Sequence, residues 1–316
     1  MSIRYIAFSG GVGGAKLALG LARVVPLDEL LIVCNTGDDF EHLGLRICPD
    51  LDTVTYTLAG RADRVQGWGI EGETWHCLES LAELGGPSWF RLGDRDLATH
   101  LYRTQRLREG ARLGDVTAEL CRALGIASRI VPVSDDPTAT MVATLEGELP
   151  FQDYFVRRHC APPVTGFRFA GAQDARIHPE LAAALASPEL RAVIFCPSNP
   201  FVSIGPMLAI AGMKEALKAT GKPVIAVSPI IGGQAVKGPA AKMMAELGMP
   251  TTALAVARHY RGIVDALVID EVDREHLGPI HDLGIACTTA PTLMNNDADK
   301  VQLASTLLEY ADALLR

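Results

Sequence analysis

The chain has 316 residues, 48% of them hydrophobic and 21% charged, and a mean hydropathy of +0.19; that balance builds a globular protein with a sizeable core and excludes a disordered or fibrous one. A formal net charge of -8 argues against nucleic acid as a partner, because sequence-independent binding to DNA or RNA rests on lysines and arginines that neutralise phosphates. Seven cysteines, at positions 34, 48, 77, 121, 160, 196 and 287, show neither a C-x-x-C pair nor a zinc spacing, and no apolar stretch is long enough to span a bilayer, so a reduced, soluble, cytoplasmic protein without a membrane partner is expected.

In chain order, apolar runs bounded by turn residues fall at 3–8, 30–34, 192–196, 224–227 and 266–269 and predict buried parallel strands. Helical periods lie between them at 16–24, at 115–124 with Asp115 as N-cap and Gly125 to end it, at 213–219 and at 240–247. This alternation predicts an α/β fold with a Rossmann-like, doubly wound, mostly parallel sheet. Residues 130–175 read as an embellishment, with a hairpin turning at Glu146-Gly147 and a further strand in "PPVTGFRF". The whole chain, 1–316, reads as one domain carrying a small helical insertion at about 74–125.

Each main strand runs into a distinctive loop, and in an open α/β sheet ligands bind beyond the carboxyl ends of the strands. "SGGVGGAK" sets Gly10, Gly11, Gly13 and Gly14 between a strand and a helix, ahead of Lys16. Such a loop fits a phosphate cradle or a tight turn that packs helix on sheet, and it is not a Walker A sequence because Leu17 follows the lysine. "PSNPFVSIGP" holds Ser198 and Asn199 in a proline-stiffened turn, with Ser203 at the expected start of a helix. On the same rim as the glycine loop, it favours phosphate or nucleobase contact over a plain capped turn.

The stretch "NTGDDFEHLGLRICPDLD" crowds Asp38, Asp39, Glu41, Asp50 and Asp52 behind Asn35. Such crowding needs a metal ion, basic side chains or solvent to offset the repulsion. Magnesium, which takes one or two carboxylates with phosphates and water, suits the group as a whole, although any one aspartate could serve as a helix cap. In "RLGDRDLATHLYRTQRLREG", helical spacing puts Asp96, His100 and Arg103 on one face, which by itself reads as a salt-bridged surface helix. Trp68, Trp75, Trp89 and Phe90 supply flat apolar surface for a planar heteroaromatic ligand or for the core.

Taken in order with "GLRICPDLDTVTYTLAG", "GWGIEGETW", "WFRLGDRDLATHLYRT", "PVSDDPTAT", "FQDYFV" and "VSPIIGGQAVKGPA", these motifs resemble the 2-phospho-L-lactate transferase family of coenzyme F420 biosynthesis across nearly the whole chain. The resemblance implies a homodimeric, magnesium-using enzyme. It would move a phospholactyl, phosphoenolpyruvyl or phosphoglyceryl unit from a guanosine diphosphate conjugate to the deazaflavin Fo, releasing GMP. It implies Asp38 and Asp52 as metal-binding and catalytic residues, Asp52 and Arg91 near Fo, and the Gly10–Gly14 and Ser198–Asn199 loops near the guanosine phosphates. Lys16, Asn35, Asp50, Asp94, His100 and Ser203 complete the expected substrate-contacting set. Two other readings stand beside it: a non-catalytic, nucleotide-sugar-binding regulator of the related gluconeogenesis-factor type, and a nicotinamide-dependent dehydrogenase, which the glycine spacing fits poorly.

Overall fold

The computed structural model describes residues 2–63 and 65–316. Its strands are, in chain order, β1 (Tyr5–Ser9), β2 (Leu30–Cys34), the hairpin β3 (Phe40–His42) and β4 (Leu45–Ile47), β5 (Arg129–Pro132), β6 (Ala139–Thr144), β7 (Gly147–Pro150), β8 (Val164–Ala170), β9 (Ala192–Phe195), β10 (Val224–Val227), the short pair β11 (Ile230–Ile231) and β12 (Gln234–Ala235), β13 (Ala266–Asp270) and β14 (Ala286–Ala290). The first five helices are α1 (Gly11–Val24), α2 (Pro49–Leu58), α3 (His76–Glu83), α4 (Asp94–Arg108) and α5 (Leu113–Ala123).

Seven strands pair in parallel in the order β14-β13-β10-β9-β1-β2-β5. The five expected strands are all present. β2 and β10 have the expected bounds, and the first begins two residues later than its apolar run, at Tyr5. These runs are continuously hydrophobic because both faces are covered. Ile6, Phe8, Leu31 and Val33 enter one core while Tyr5, Ala7, Leu30, Ile32 and Cys34 enter the other, as the two-residue side-chain period of a strand demands. The sheet is wound outward in both directions from β1, so the topological switch point lies between β1 and β9.

β6, β7 and β8 form a separate antiparallel sheet in the order β7-β6-β8. The expected hairpin is there, but Thr144 pairs with Gly147, so its turn is Leu145-Glu146 and Gly147 already opens β7. Asp115 lies in the first turn of α5 rather than at its N-cap, since the helix starts at Leu113 and the Gly114 N–H is taken by Asp135 (2.7 Å). Gly125, at φ 72°, does end that helix. Helix α1 packs on the last helix, Asp297–Leu314, so closely that a side-chain carbon on Gly20 would strike the Lys300 carbonyl. No helix among the described residues is long and apolar enough to cross a membrane.

Candidate active site

The loops that follow β1 and β9 meet at the switch point. Ser198 Oγ accepts the Gly10 N–H (3.2 Å), and Gly13 packs against the Pro197 carbonyl with no room for a Cβ. A Cβ on Gly14 would fall 2.6 Å from Ser198 Oγ and 2.7 Å from Ser9 Oγ; one on Gly10 would fall 2.6 Å from Ser203 Cβ and 2.7 Å from Asp50 Oδ2. These glycines therefore let helix α1 approach its neighbours. Gly11, at φ 64°, turns the chain into that helix and gives its N–H to Asp50 Oδ1 (2.5 Å). The first-turn amides of Val12 and Gly13 are the ones that helix geometry leaves without an intrahelical acceptor.

Asn199 caps the π-helical turn Pro200–Ile204, accepting from the N–H groups of Phe201 (2.9 Å) and Val202 (3.4 Å). The helix expected to open at Ser203 thus begins earlier, with Ser203 buried inside it beside Gly10. Lys16 turns away from the loop and donates to the Met294 carbonyl (2.8 Å). Burial, with Lys237 and Lys300 nearby, pulls its pKa down.

From the end of β2, Asn35 organises the acids. Its Nδ2 group lies 3.2 Å from Asp38 Oδ1, 3.0 Å from Asp50 Oδ2 and 3.3 Å from the Val202 carbonyl, while its Oδ1 accepts the Gly37 N–H (2.8 Å). Gln152 Nε2 donates to the Asp38 carbonyl (3.1 Å). α2 starts at Pro49, so Asp50 and Asp52 sit in its first turn, where the helix dipole favours negative charge.

Four acids of this stretch are buried, and they divide into two kinds. Asp39 meets Arg46 (3.2 Å), and Asp52 is held by Arg103, which reaches its Oδ2 at 3.1 Å and also grips Oδ1. Asp38 and Asp50 share the Asn35 amide and Asp50 also takes the Gly11 N–H; among the described residues neither meets a basic side chain. Burial, reinforced by Asp50 and Asp39, pushes the Asp38 carboxyl well above the usual carboxylate range. Burial also lifts Asp50 to about 6 against the pull of Asn35 and Gly11, and Asp39 to about 7 against that of Arg46. Asp39 Oδ1 is buried without a hydrogen-bond partner.

α4 presents Asp96, His100 and Arg103 to α2, and all three are buried rather than forming a surface salt-bridge face. Arg103 Nη1 lies 3.2 Å from His100 Nδ1; His100 Nε2 faces Asp96 Oδ1 at 3.2 Å, off the hydrogen-bond direction; and Asp96 Oδ1 accepts the Tyr56 hydroxyl (2.6 Å). Burial raises the Asp96 pKa, but His100, Tyr56 and Arg103 outweigh it and hold the carboxyl below its ordinary value. Donor atoms of Asp52, Asp96 and His100 lie within 4.8 Å of one another, yet the Arg103 guanidinium already supplies the cation there.

Asp94 and Arg91 have other partners. The Asp94 carboxylate takes the Thr74 hydroxyl (2.6 Å) and the N–H groups of His76 and Cys77 (both 3.1 Å), capping α3. Glu73 answers by accepting the N–H groups of Arg95 (2.9 Å) and Asp96 (2.8 Å) at the start of α4. The exposed Arg91 lays its guanidinium over the Trp75 ring at 4.2 Å. Phe40, His42, Trp89 and Phe90 form a half-buried aromatic group beside the acids, with Phe40 and Phe90 centroids 4.8 Å apart. Tyr56, Arg46 and Glu73 were not legible as site residues. Tyr56 carried one signal, its place four residues after Asp52 on the same helix face.

This is an α/β protein with a buried acidic cluster at the switch point of a parallel sheet. Solved structures of a member of the UPF0052 family from Bacillus halodurans share that fold, with TM-scores of 0.62 and 0.63, 13% and 14% identity and 98% of this chain covered. The pattern of the family described as 2-phospho-L-lactate transferase CofD matches residues 6–283. The chain is 40% identical over 316 residues to the phosphoenolpyruvate transferase of Streptomyces coelicolor, covering 98% of each. It is also 40% identical over 304 residues to the 2-phospho-L-lactate transferase of Methanosarcina mazei, covering 96% of this chain and 99% of that one. The chain belongs to the 2-phospho-L-lactate transferase family, a family of transferases.

Proposed function

We propose that the protein, acting as a homodimer, transfers a phosphorylated three-carbon acid from a guanosine diphosphate conjugate to the ribityl hydroxyl of the deazaflavin Fo, releasing GMP. The observation that carries this reading is the pair Asp38 and Asp50, buried together at the switch point without a basic partner among the described residues. Two buried carboxylates without a counter-charge weaken the fold, and a bound cation would offset that cost.

The pair fits magnesium. Its donors are hard oxygens, no guanidinium among the described residues offsets them, and Asp39 Oδ1 lies buried and unpartnered in the same stretch. Asp38 and Asp50 would hold the ion, with Asp52 anchored alongside by Arg103. A bound divalent cation supplies charge neutralisation for the phosphoryl oxygens and alignment of the displacement.

The chain's own groups do the rest. The free first-turn amides of α1 and the Ser198 hydroxyl face the switch point, where an anion meets the positive end of the helix dipole. Phe40, Trp89 and Phe90, packed tilted and edge to face, offer individual apolar ring faces and edges for a deazaflavin ring. The hydroxyl oxygen of Fo attacks the phosphorus distal to guanosine, its proton passes to a carboxylate of the cluster, and the bond from that phosphorus to the bridging oxygen breaks as GMP leaves. The names of the relatives support two donor acids, phosphoenolpyruvate at 40% and 42% identity and 2-phospholactate at 38% and 40%.

The test is incubation of the protein with Fo, magnesium and, in turn, the lactate, enolpyruvate and glycerate forms of the donor, with mass spectrometry of the phosphorylated deazaflavin and of GMP. Both products with one donor are expected. Absence of both with all three, in folded and metal-loaded protein, overturns the proposal in favour of a nucleotide-binding regulator.

A further inference from the structure

Beneath the cluster, Arg103 is 2% exposed and can only donate hydrogen bonds. Its fork takes both oxygens of Asp52, which fixes the plane of that carboxylate as well as its distance. The two hydrogens of Nη1 are divided among Asp52 Oδ2, His100 Nδ1 (3.2 Å) and the longer contact to the Arg46 carbonyl (3.4 Å), which together fix the guanidinium. Because Arg103 brings a proton to Nδ1, His100 must carry its own proton on Nε2, the nitrogen that faces Asp96. Asp96 is held in turn by the Tyr56 hydroxyl and, through its N–H, by Glu73. Asp52 and Tyr56 stand one turn apart on α2, and Asp96, His100 and Arg103 stand on successive turns of α4, so the chain of contacts closes on itself between two helices.

Well-packed apolar side chains would join α2 to α4 at no greater cost than this ionic array, so packing alone does not account for it. Its one end toward the proposed reaction centre is Asp52. We infer that Arg103, set by the Nε2–H tautomer of His100 and backed by Asp96 and Tyr56, is the positioning residue that holds Asp52 in its working orientation. This rests on the reading of Asp52 as a residue of the transfer site.

Four variants test it beside the wild type: Arg103→Lys, His100→Asn, His100→Leu and Tyr56→Phe. Lysine keeps the charge but cannot form the fork, and leucine removes the acceptor at Nδ1. Each should lower kcat about 10- to 100-fold while KM for both substrates stays within about threefold, the mark of misplaced rather than missing groups. Asparagine restores an acceptor oxygen near Nδ1 and should recover most of the loss; Tyr56→Phe should fall between. Equal loss in His100→Asn and His100→Leu, or KM changes with kcat intact, overturns the inference. Nitrogen-15 spectra of histidine-labelled protein need no turnover. A single Nε2–H tautomer for His100 that becomes mixed in Arg103→Lys supports the array, and a mixture already in the wild type overturns it. If the wild type shows this tautomer but no transfer with any donor, the proposed activity fails and the array stands.

Discussion

Arg103 closes its guanidinium on both oxygens of Asp52 from 51 residues further along the chain, with side chains only 2% and 8% exposed. A charge buried to that extent is tolerable only while its partner is in place. Replacing Arg103 with alanine should therefore cost about 3–5 kcal/mol of stability, measured by urea unfolding. Asp52→Ala strands the arginine and should cost as much, so loss of activity in that variant mixes two effects. Asp52→Asn, which keeps the shape and one acceptor, should unfold later than Asp52→Ala and is the variant in which turnover can be read.

The acids of the cluster make stability depend on pH. Burial raises Asp50 to about 6 and Asp39 to about 7. In the unfolded chain both titrate near 4, so the folded form binds protons more tightly. Their contribution is whole below pH 4 and is lost as pH rises through about 6 and 7. In chelator, the wild type should lose stability from pH 5 to pH 8, and Asp50→Asn should lose about 1 kcal/mol less over that interval. Identical pH profiles for the two proteins would remove the assignment.

Divalent cations should reverse that loss. At pH 8, magnesium at a hundredfold excess over its Kd adds about 2.7 kcal/mol to a protein with one site for it. Asp38→Asn and Asp50→Asn should each melt higher than the wild type in chelator and gain little from magnesium. Thermal melts with and without the ion measure both effects. An Asp38→Asn protein that still gains as much as the wild type would move the ion elsewhere.

Gly13→Ala addresses the switch point. Its Cβ meets the Pro197 carbonyl, backbone that cannot rotate aside, so α1 must shift away from the loop after β9. A cost of about 1–3 kcal/mol is expected, with weaker donor binding, by denaturant unfolding and calorimetry. Gly125→Ala, by contrast, places a Cβ in open space and loses only the ease of its left-handed backbone.

Asp94 separates a cap from a substrate contact. With its carboxylate engaged by Thr74, His76 and Cys77, Asp94→Ala should lower Tm and leave both KM values unchanged. A raised KM for Fo at unchanged Tm would return Asp94 to the ligand-contacting set.

The sheet was legible because each parallel strand is apolar on both faces and each ends in a loop with its own motif; the period of α4 likewise put Asp96, His100 and Arg103 on one face. What spacing could not show was which partner each charge would find. Arg103 read as part of a solvated face because its acceptor lies on another helix. Asp94 read as a ligand because the helix it caps begins in the loop around Thr74. The glycine loop looked like an anion cradle, and the neighbour each glycine accommodates, such as Pro197 or Ser203, comes from a loop nearly two hundred residues away. Local pattern carries periodicity; the pairing of polar groups is set by tertiary contacts.

The contact of α1 with the far end of the sequence bears on biosynthesis. Lys16 is tied to the Met294 carbonyl and Gly20 lies against Lys300, so the helix behind the glycine loop rests on residues that are made long after it. During translation the first strand and helix emerge well before the surface that seats them. The glycine loop therefore gains its full support only when a helix from a distant part of the chain docks behind it.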